Sequence, residues 1–208
     1  MNLCANNIML KIGVLALQGN VIEHVKAMQK ASEACGIEAQ VVQARDAQDL
    51  EGLDAIILPG GESTTLSLLL ERAGMLGLLK EINAIFGTCA GLILMAKKAN
   101  GKIEGQKGLE LMDVEIDRNA YGSQLDSFES VLSCALLDDE KIMFIRAPKI
   151  KSIGAGVNVL AKLPDGGAAI IEQEKEGKYY LGAACHPEMS TCKIHEYFLQ
   201  KAKEMKKG

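Results

Sequence analysis

The first hundred residues repeat one phrase: a short apolar run, a loop carrying glycine or polar residues, then a segment with helical spacing. Lys11 to Leu17 reads as a strand, and Val21 to Ala34 as a helix that Gly36 can terminate. Glu38 to Gln43 is a second strand and Ala55 to Leu58 a third, followed by a helix over Thr65 to Ala73. A strand over Ala84 to Phe86 and a helix over Leu92 to Lys97 complete the series. Strands alternating with helices specify a parallel sheet, because parallel strands need crossovers long enough to hold a helix. The fold class is therefore α/β: three layers, with a mostly parallel central sheet and helices on both faces.

The character changes from Leu109 onward. Leu111 to Asp117, Ser127 to Leu132, Lys141 to Ile145, Asn158 to Leu163 and Ala168 to Glu174 read as strands joined by turns, with Asp165-Gly166-Gly167 a strong turn signal. This half adds antiparallel strands to the sheet or builds a small side sheet. Thr191 to Met205 places Ile194, Tyr197, Phe198 and Leu199 at helical spacing, an amphipathic closing helix. Its lysine-rich end suits a helix C-terminus.

With 208 residues the chain suits one domain, 1–208, and Met1 to Leu10, an N-terminal extension relative to the family resemblance given below, lacks the pattern of a signal peptide. A net charge of −4, four tyrosines, four phenylalanines and no tryptophan argue against a nucleic-acid surface. No apolar run approaches membrane-spanning length. Six cysteines without framework spacing point to a reducing compartment, hence the cytoplasm, and no cysteine or histidine cluster has zinc spacing. Neither a metal nor a cofactor is expected. Cys4, Cys35, Cys134 and Cys192 read as packing or surface residues.

Chemistry concentrates in three places. Phe86-Gly87-Thr88-Cys89-Ala90-Gly91-Leu92 puts a cysteine at a glycine-flanked corner between strand and helix, the arrangement of a nucleophile elbow. A helix N-terminus behind the sulfur favours the thiolate. Alone, such a cysteine reads as a small buried hydrophobe. The strand Tyr179 to Cys185 runs into His186-Pro187-Glu188, and Pro187 should end it. His186 then stands at a strand terminus with Glu188 able to turn back onto it, which supplies a base and an orienting carboxylate. The other histidines, His24 and His195, fall in helical patterns and read as solvated or packing residues. Third, the strand Ala55 to Leu58 runs into Pro59-Gly60-Gly61-Glu62-Ser63-Thr64-Thr65. This loop could present backbone amides to an oxyanion, with the N–H groups of Gly61 and Ala90 as donors, and Ser63 or Thr64 as the cap of the next helix. The lysine that ends a P-loop is absent.

Gly-Thr-Cys-Ala-Gly, Pro-Gly-Gly-Glu-Ser-Thr-Thr and His-Pro-Glu together resemble the class I, triad-type glutamine amidotransferases, which have a flavodoxin-like sheet. Leu17-Gln18-Gly19 with Glu23-His24, Arg118-Asn119-Ala120-Tyr121-Gly122-Ser123-Gln124 and Phe144-Ile145-Arg146-Ala147-Pro148 are similar to the glutaminase subunits of pyridoxal 5′-phosphate synthases. The resemblance implies Cys89 as nucleophile, His186 as base and then acid, and Glu188 as its orienting group. It implies that Gly61, Glu62, Ser63, Arg118, Ile145 and Arg146 hold L-glutamine, with Gln18 near the oxyanion site. It also implies a synthase subunit as partner, receiving ammonia for vitamin B6 biosynthesis. The first helix and the loop around Gln18 are the expected docking face. Two other readings stay open: a glutaminase serving a different acceptor subunit, and a nonenzymatic or redox-sensing protein with a reactive elbow cysteine.

Overall fold

The computed structural model describes residues 9–103, 105–118, 127–137 and 140–207. In chain order, β1 (Leu10–Leu15) leads to α1 (Val21–Cys35), β2 (Ala39–Ala44), β3 (Ala55–Leu58), α2 (Ser63–Arg72), the single turn α3 (Leu76–Leu79), β4 (Ala84–Thr88) and α4 (Ala90–Met95). Then come β5 (Ala96–Asn100), β6 (Met112–Asp117), β7 (Ser127–Val131), β8 (Lys141–Ile145), β9 (Lys149–Ile153), β10 (Val157–Lys162), β11 (Ala168–Lys175), β12 (Lys178–Ala183) and α5 (Lys193–Lys207).

The main sheet has the order β10-β11-β12-β4-β3-β1-β2. From β12 to β2 every pairing is parallel, whereas β10, β11 and β12 pair antiparallel. The central strands are apolar at successive positions because both faces are covered. Ile56, Leu58, Ile85 and Tyr180 face one cluster with Leu66 and Leu70 of α2 and Leu92 of α4. Their neighbours Ile57, Phe86, Tyr179 and Leu181 face the other, with Met28 and Ala31 of α1 and Ile194, Phe198 and Leu199 of α5. The alternation of strand side chains thus divides one sheet between two cores. α1 ends as expected, with Gly36 in the left-handed region at φ 59° and its amide donating to the Glu33 carbonyl. A three-stranded sheet (β5-β6-β9) and a two-stranded one (β7-β8) flank this core.

Several boundaries differ from the sequence reading. Leu10, read with the N-terminal extension, is fully buried and opens β1 opposite Ala39, one residue before the expected strand start. The helix after Cys89 ends at Met95 rather than Lys97, because Ala96 turns extended (ψ 138°) and pairs with Met112. Sheet pairing there overrides helix propensity. β5 and β9 were not predicted; β9 is a largely exposed edge strand with little apolar alternation to reveal it. β12 ends at Ala183, so Pro187 does not terminate it but opens a short 3-10 turn over Pro187–Met189.

Candidate active site

Cys89 occupies the corner between β4 and α4 with φ 47° and ψ −101°, a conformation that costs a non-glycine residue on the order of 1–3 kcal/mol. The surroundings hold it there. Its amide donates to the Ala183 carbonyl of β12 at 2.8 Å, and its own carbonyl accepts from Ile93 at 3.1 Å. Gly91 lets α4 settle onto the sheet, since a Cβ there would lie 2.0 Å from the Leu58 carbonyl oxygen. Cys89 is 6% exposed, and its sulfur approaches the carbonyl of Ile145, at the end of β8, at 3.9 Å.

His186 is pinned from outside the main sheet. Its amide donates to the Met143 carbonyl of β8 at 2.8 Å, an isolated bridge that ties the loop after β12 to the two-stranded sheet. Its Nδ1 lies 2.8 Å from Glu188 Oε1, which leaves the other ring nitrogen available, and His186 and Cys89 line one cavity. Burial disfavours the imidazolium, yet the bonds to Cys89 and Glu188 outweigh burial and hold the His186 pKa well above its ordinary value. Burial likewise opposes ionisation of Glu188, but His186, His24 and Asn20 together keep its pKa below the usual carboxylate range. Of the three predicted groups, His186 and Glu188 are hydrogen-bonded, and Cys89 lines the same cavity as His186.

The carboxylate has partners that sequence reasoning missed. Asn20, at the N-terminus of α1, makes no cap with its side chain; its amide donates to Glu188 Oε1 at 3.1 Å and lies 3.3 Å from His186 Nδ1. His24 and His195 are neither solvated nor mere filler: both are fully buried. His24 Nδ1 is 2.9 Å from His195 Nε2, and His24 Nε2 is 3.1 Å from Thr88 Oγ1 and 3.5 Å from Glu188 Oε2. Burial lowers the pKa of His24 to about 4 and that of His195 to about 3, so both are neutral at neutral pH. A signal existed for His24, which shares a helical stripe with the buried Ala27, Met28 and Ala31.

The loop after β3 forms the facing wall. Gly60 sits against Cys89 and His186: a Cβ there would be 2.4 Å from His186 Cε1 and 3.3 Å from Cys89 Cβ. Gln18 straps the loop, donating to the Glu62 carbonyl at 2.8 Å and accepting from the Glu62 amide at 3.4 Å. The cap of α2 is Glu62, not Ser63 or Thr64; its extended backbone lets the carboxylate turn forward onto the amides of Thr64 (2.9 Å) and Thr65 (2.6 Å). Burial opposes its ionisation, but those amides win and bring its pKa to about 2. Arg118 is held by Glu62 (3.2 Å), Thr64 (3.0 Å), Gln106 (2.8 Å) and the Gly101 carbonyl (3.0 Å). Residues 119–124 of that motif lie outside the described residues.

These walls enclose a cavity of about 530 Å³ lined by Asn20, Gly61, Glu62, Ser63, Cys89, Ile93, Arg118, Ser127, Ile145, Arg146 and His186. The predicted residues Gly61, Glu62, Ser63, Arg118, Ile145 and Arg146 are thus brought together around Cys89 and His186. Arg146 enters at φ 45°, a second strained non-glycine position at the rim. Glu188 and Gln18 do not line the cavity, and Ala90 starts α4 directly after Cys89. Cys185 is fully buried, part of the core, and burial pushes its thiol well up. Among the described residues no group of histidine, cysteine or acidic side chains could hold a metal ion, and no helix is long and apolar enough to cross a membrane.

A cysteine at a strand-to-helix elbow of a parallel sheet, with a histidine and a carboxylate beside one cavity, is the arrangement that the resemblance to triad-type amidotransferases implies. The SNO glutamine amidotransferase family matches residues 14–204, and the chain belongs to that family. It is 43% identical over 201 residues to the pyridoxal 5′-phosphate synthase subunit PdxT of Thermococcus onnurineus, covering 93% of this chain and all of that one (100%). The protein of the same name from Oenococcus oeni is 45% identical over 203 residues, covering 94% of this chain and 98% of its own. A crystal structure described as a glutamine amidotransferase superposes with a TM-score of 0.77 at 39% identity, covering 92% of this chain and 98% of the other. A putative GMP synthase subunit from Thermoplasma acidophilum shares the fold (TM-score 0.63) at 15% identity, over 97% of this chain and 99% of that one.

Proposed function

We propose that this chain is the glutaminase subunit of a pyridoxal 5′-phosphate synthase, a cytoplasmic single-domain protein that hydrolyses L-glutamine and delivers ammonia to a synthase subunit. The observation that carries the chemistry is the series Cys89–His186–Glu188 at the strained elbow, with the 2.8 Å His186–Glu188 bond at its rear. The subunit assignment rests on relatives of that name over more than nine-tenths of the chain.

In this reading the Cys89 thiolate attacks the side-chain carboxamide carbon of glutamine. Backbone amides of Gly61 and Ala90 receive the oxyanion. His186, as imidazolium, gives its proton to the departing nitrogen, so that ammonia leaves and a glutamyl thioester remains. The neutral imidazole then takes a proton from water, whose oxygen attacks the thioester and releases glutamate and the thiolate. Glu188 fixes the ring and favours its charged form. Arg118 and Arg146 supply cationic guanidinium groups suited to the α-carboxylate of the substrate, Arg118 being the more rigidly held. The delivered species must be ammonia and not ammonium, which requires a path closed to water at the interface with the synthase.

The test is glutamate release from L-glutamine by the full chain with and without purified synthase subunit. Activity should rise with the partner, and Cys89→Ala should lower it by about 10³-fold or more. Activity that survives in Cys89→Ala would overturn the nucleophile assignment. A lack of response to this synthase, with response to another acceptor subunit, would overturn the pathway.

A further inference from the structure

Glu188 is gripped on one oxygen only. Oε1 receives His186 and Asn20, while Oε2 is fully buried with no hydrogen bond of ordinary geometry among the described residues. The nearest donor to Oε2 is His24 Nε2 at 3.5 Å, and that nitrogen also meets the hydroxyl of Thr88, the residue before the nucleophile, at 3.1 Å. Behind His24 lies His195 of α5, whose Nδ1 is buried and unpartnered among the described residues.

These facts select one arrangement of protons. If His24 carried its proton on Nδ1, a lone pair on Nε2 would face the Glu188 carboxylate. His195 would then have to accept at Nε2, leaving an N–H at Nδ1 buried without an acceptor. Both are costly. With the proton on Nε2 of each ring, His195 donates to His24 Nδ1, and His24 donates toward Thr88 Oγ1 and Glu188 Oε2. The only group left unpaired is then an acceptor lone pair on His195. The groups facing His24 agree with a neutral ring: His186 and Glu188 from the loop after β12, Thr88 and the edge of Phe86 from β4, His195 from α5, and Glu23 and Asn20 on α1. The nearest anion is already neutralised by His186.

We infer that His24, backed by His195, is a positioning residue for the glutaminase reaction: it steers the free oxygen of Glu188 and the hydroxyl of Thr88, and so fixes His186 against Cys89. The inference rests on the proposed roles of Cys89, His186 and Glu188. It gives α1 and α5 a task beyond covering the sheet, because a proton-donating line runs from the closing helix to the rear of the reacting pair. Loss of the donor frees the carboxylate to rotate. His186 is then less firmly placed against Cys89, and proton transfer in the proposed reaction slows.

The test compares His24→Leu, His24→Gln and Glu188→Gln in the full chain with its synthase partner. The readouts are kcat and KM for glutamate release, and the pH dependence of Cys89 alkylation by iodoacetamide, quantified on the Cys89 peptide by mass spectrometry. A glutamine amide can present a donor where His24 presents Nε2; leucine fills space only. His24→Leu should lower kcat about tenfold with KM within about twofold, and raise the alkylation midpoint by about half a pH unit or more. His24→Gln should recover most of both. Leucine and glutamine variants that behave alike would reduce His24 to packing and overturn the inference. If Glu188→Gln fails to move the midpoint, the triad assignment itself falls; if it moves the midpoint and His24→Leu does not, only the present inference falls. Should the leucine variant not fold, nitrogen-15 NMR of the histidine rings in the unaltered chain decides. Neutral Nε2–H forms for both His24 and His195 between about pH 5 and 8 are expected, and an Nδ1–H or charged His24 ring would overturn it.

Discussion

The cavity has two kinds of wall. One is built at the C-terminal ends of β3, β4 and β12, where the parallel sheet is buried on both faces and the backbone itself approaches the reacting atoms. The other comes from β6 and β8, strands of the small sheets, which contribute Arg118, Ile145 and Arg146. On the first wall, position is enforced by contact: Cys89 is locked by backbone bonds on both sides of its strained corner, and Gly60 leaves no space beside His186. On the second, position is enforced by hydrogen bonds and charges on partly exposed side chains. Close packing transmits a displacement of a few tenths of an ångström, whereas polar contacts at a rim absorb it. In the proposed mechanism the groups that need near-attack geometry therefore stand on the first wall, and the groups that need only to recognise a charge stand on the second.

Gly60→Ala is the sharpest way to break this contrast. The added methyl would meet His186 Cε1 at 2.4 Å and Nδ1 at 3.1 Å, on the ring that moves a proton in the proposed mechanism. Because the ring is held from behind by Glu188, it has nowhere to retreat. We expect kcat/KM for glutamine to fall by about 10²–10³-fold while the melting temperature changes by only a few degrees. Activity close to that of the unaltered chain would mean that the first wall has slack, and the contrast would fail.

The same contrast explains what the sequence made legible. The parallel core and the Cys89, His186 and Glu188 set were readable because each announces itself locally: an apolar run, a glycine or proline break, a reactive side chain. Arg118 and Arg146 were placed by resemblance, not by any pattern of their own. Asn20 and His24 were missed for a different reason. Their roles arise from α1 lying beside the loop after β12, so that residues 168 and 166 positions apart meet. No local pattern encodes that encounter, although the stripe Ala27, Met28, Ala31 does put His24 on the buried face of its helix. The cap of α2 was misassigned because residue type favours Ser or Thr, while the extended backbone after Gly60-Gly61 gives the position to Glu62. β5 and β9 went unseen because strands formed at a charged edge carry little hydrophobic alternation.

On the second wall the expected effect is smaller and of another kind. Arg118 spends its guanidinium on four oxygens spread over the Gly101 carbonyl, Gln106, Thr64 and Glu62. A lysine offers a point charge without the planar fork and cannot span them. In the proposed pocket Arg118→Lys should raise KM for glutamine by about tenfold with kcat changed by less than about threefold, because lost ground-state recognition appears in KM. A fall in kcat at constant KM would instead place Arg118 with the chemistry, and the division between the walls would have to be redrawn.

Farther out on the same side sheet, the effect should nearly vanish, and its pH dependence can be signed. Glu115 of β6 accepts from Asn100 at 2.9 Å and pairs with Lys151 at 3.2 Å and Lys98 at 3.3 Å. The Asn100 bond, then those to Lys151 and Lys98, lower its pKa from the ordinary 4.5 to about 2. A carboxylate whose pKa is depressed in the folded chain stabilises it above the unfolded value, and that contribution is lost as pH falls from about 4.5 toward about 2. Glu115→Gln should therefore lower the melting temperature by only about 1–2 °C at pH 7, since exposed pairs are screened by water and salt. The difference should shrink at pH 3 and again in about 0.5 M salt, where the pairs are weakened in both chains. Glutaminase activity should not change. A loss of more than about 5 °C at neutral pH would show the side sheet to be as tightly determined as the core. Ion pairs there would then be setting the position of β6, and through it of Arg118, instead of decorating a strand already fixed by its partners.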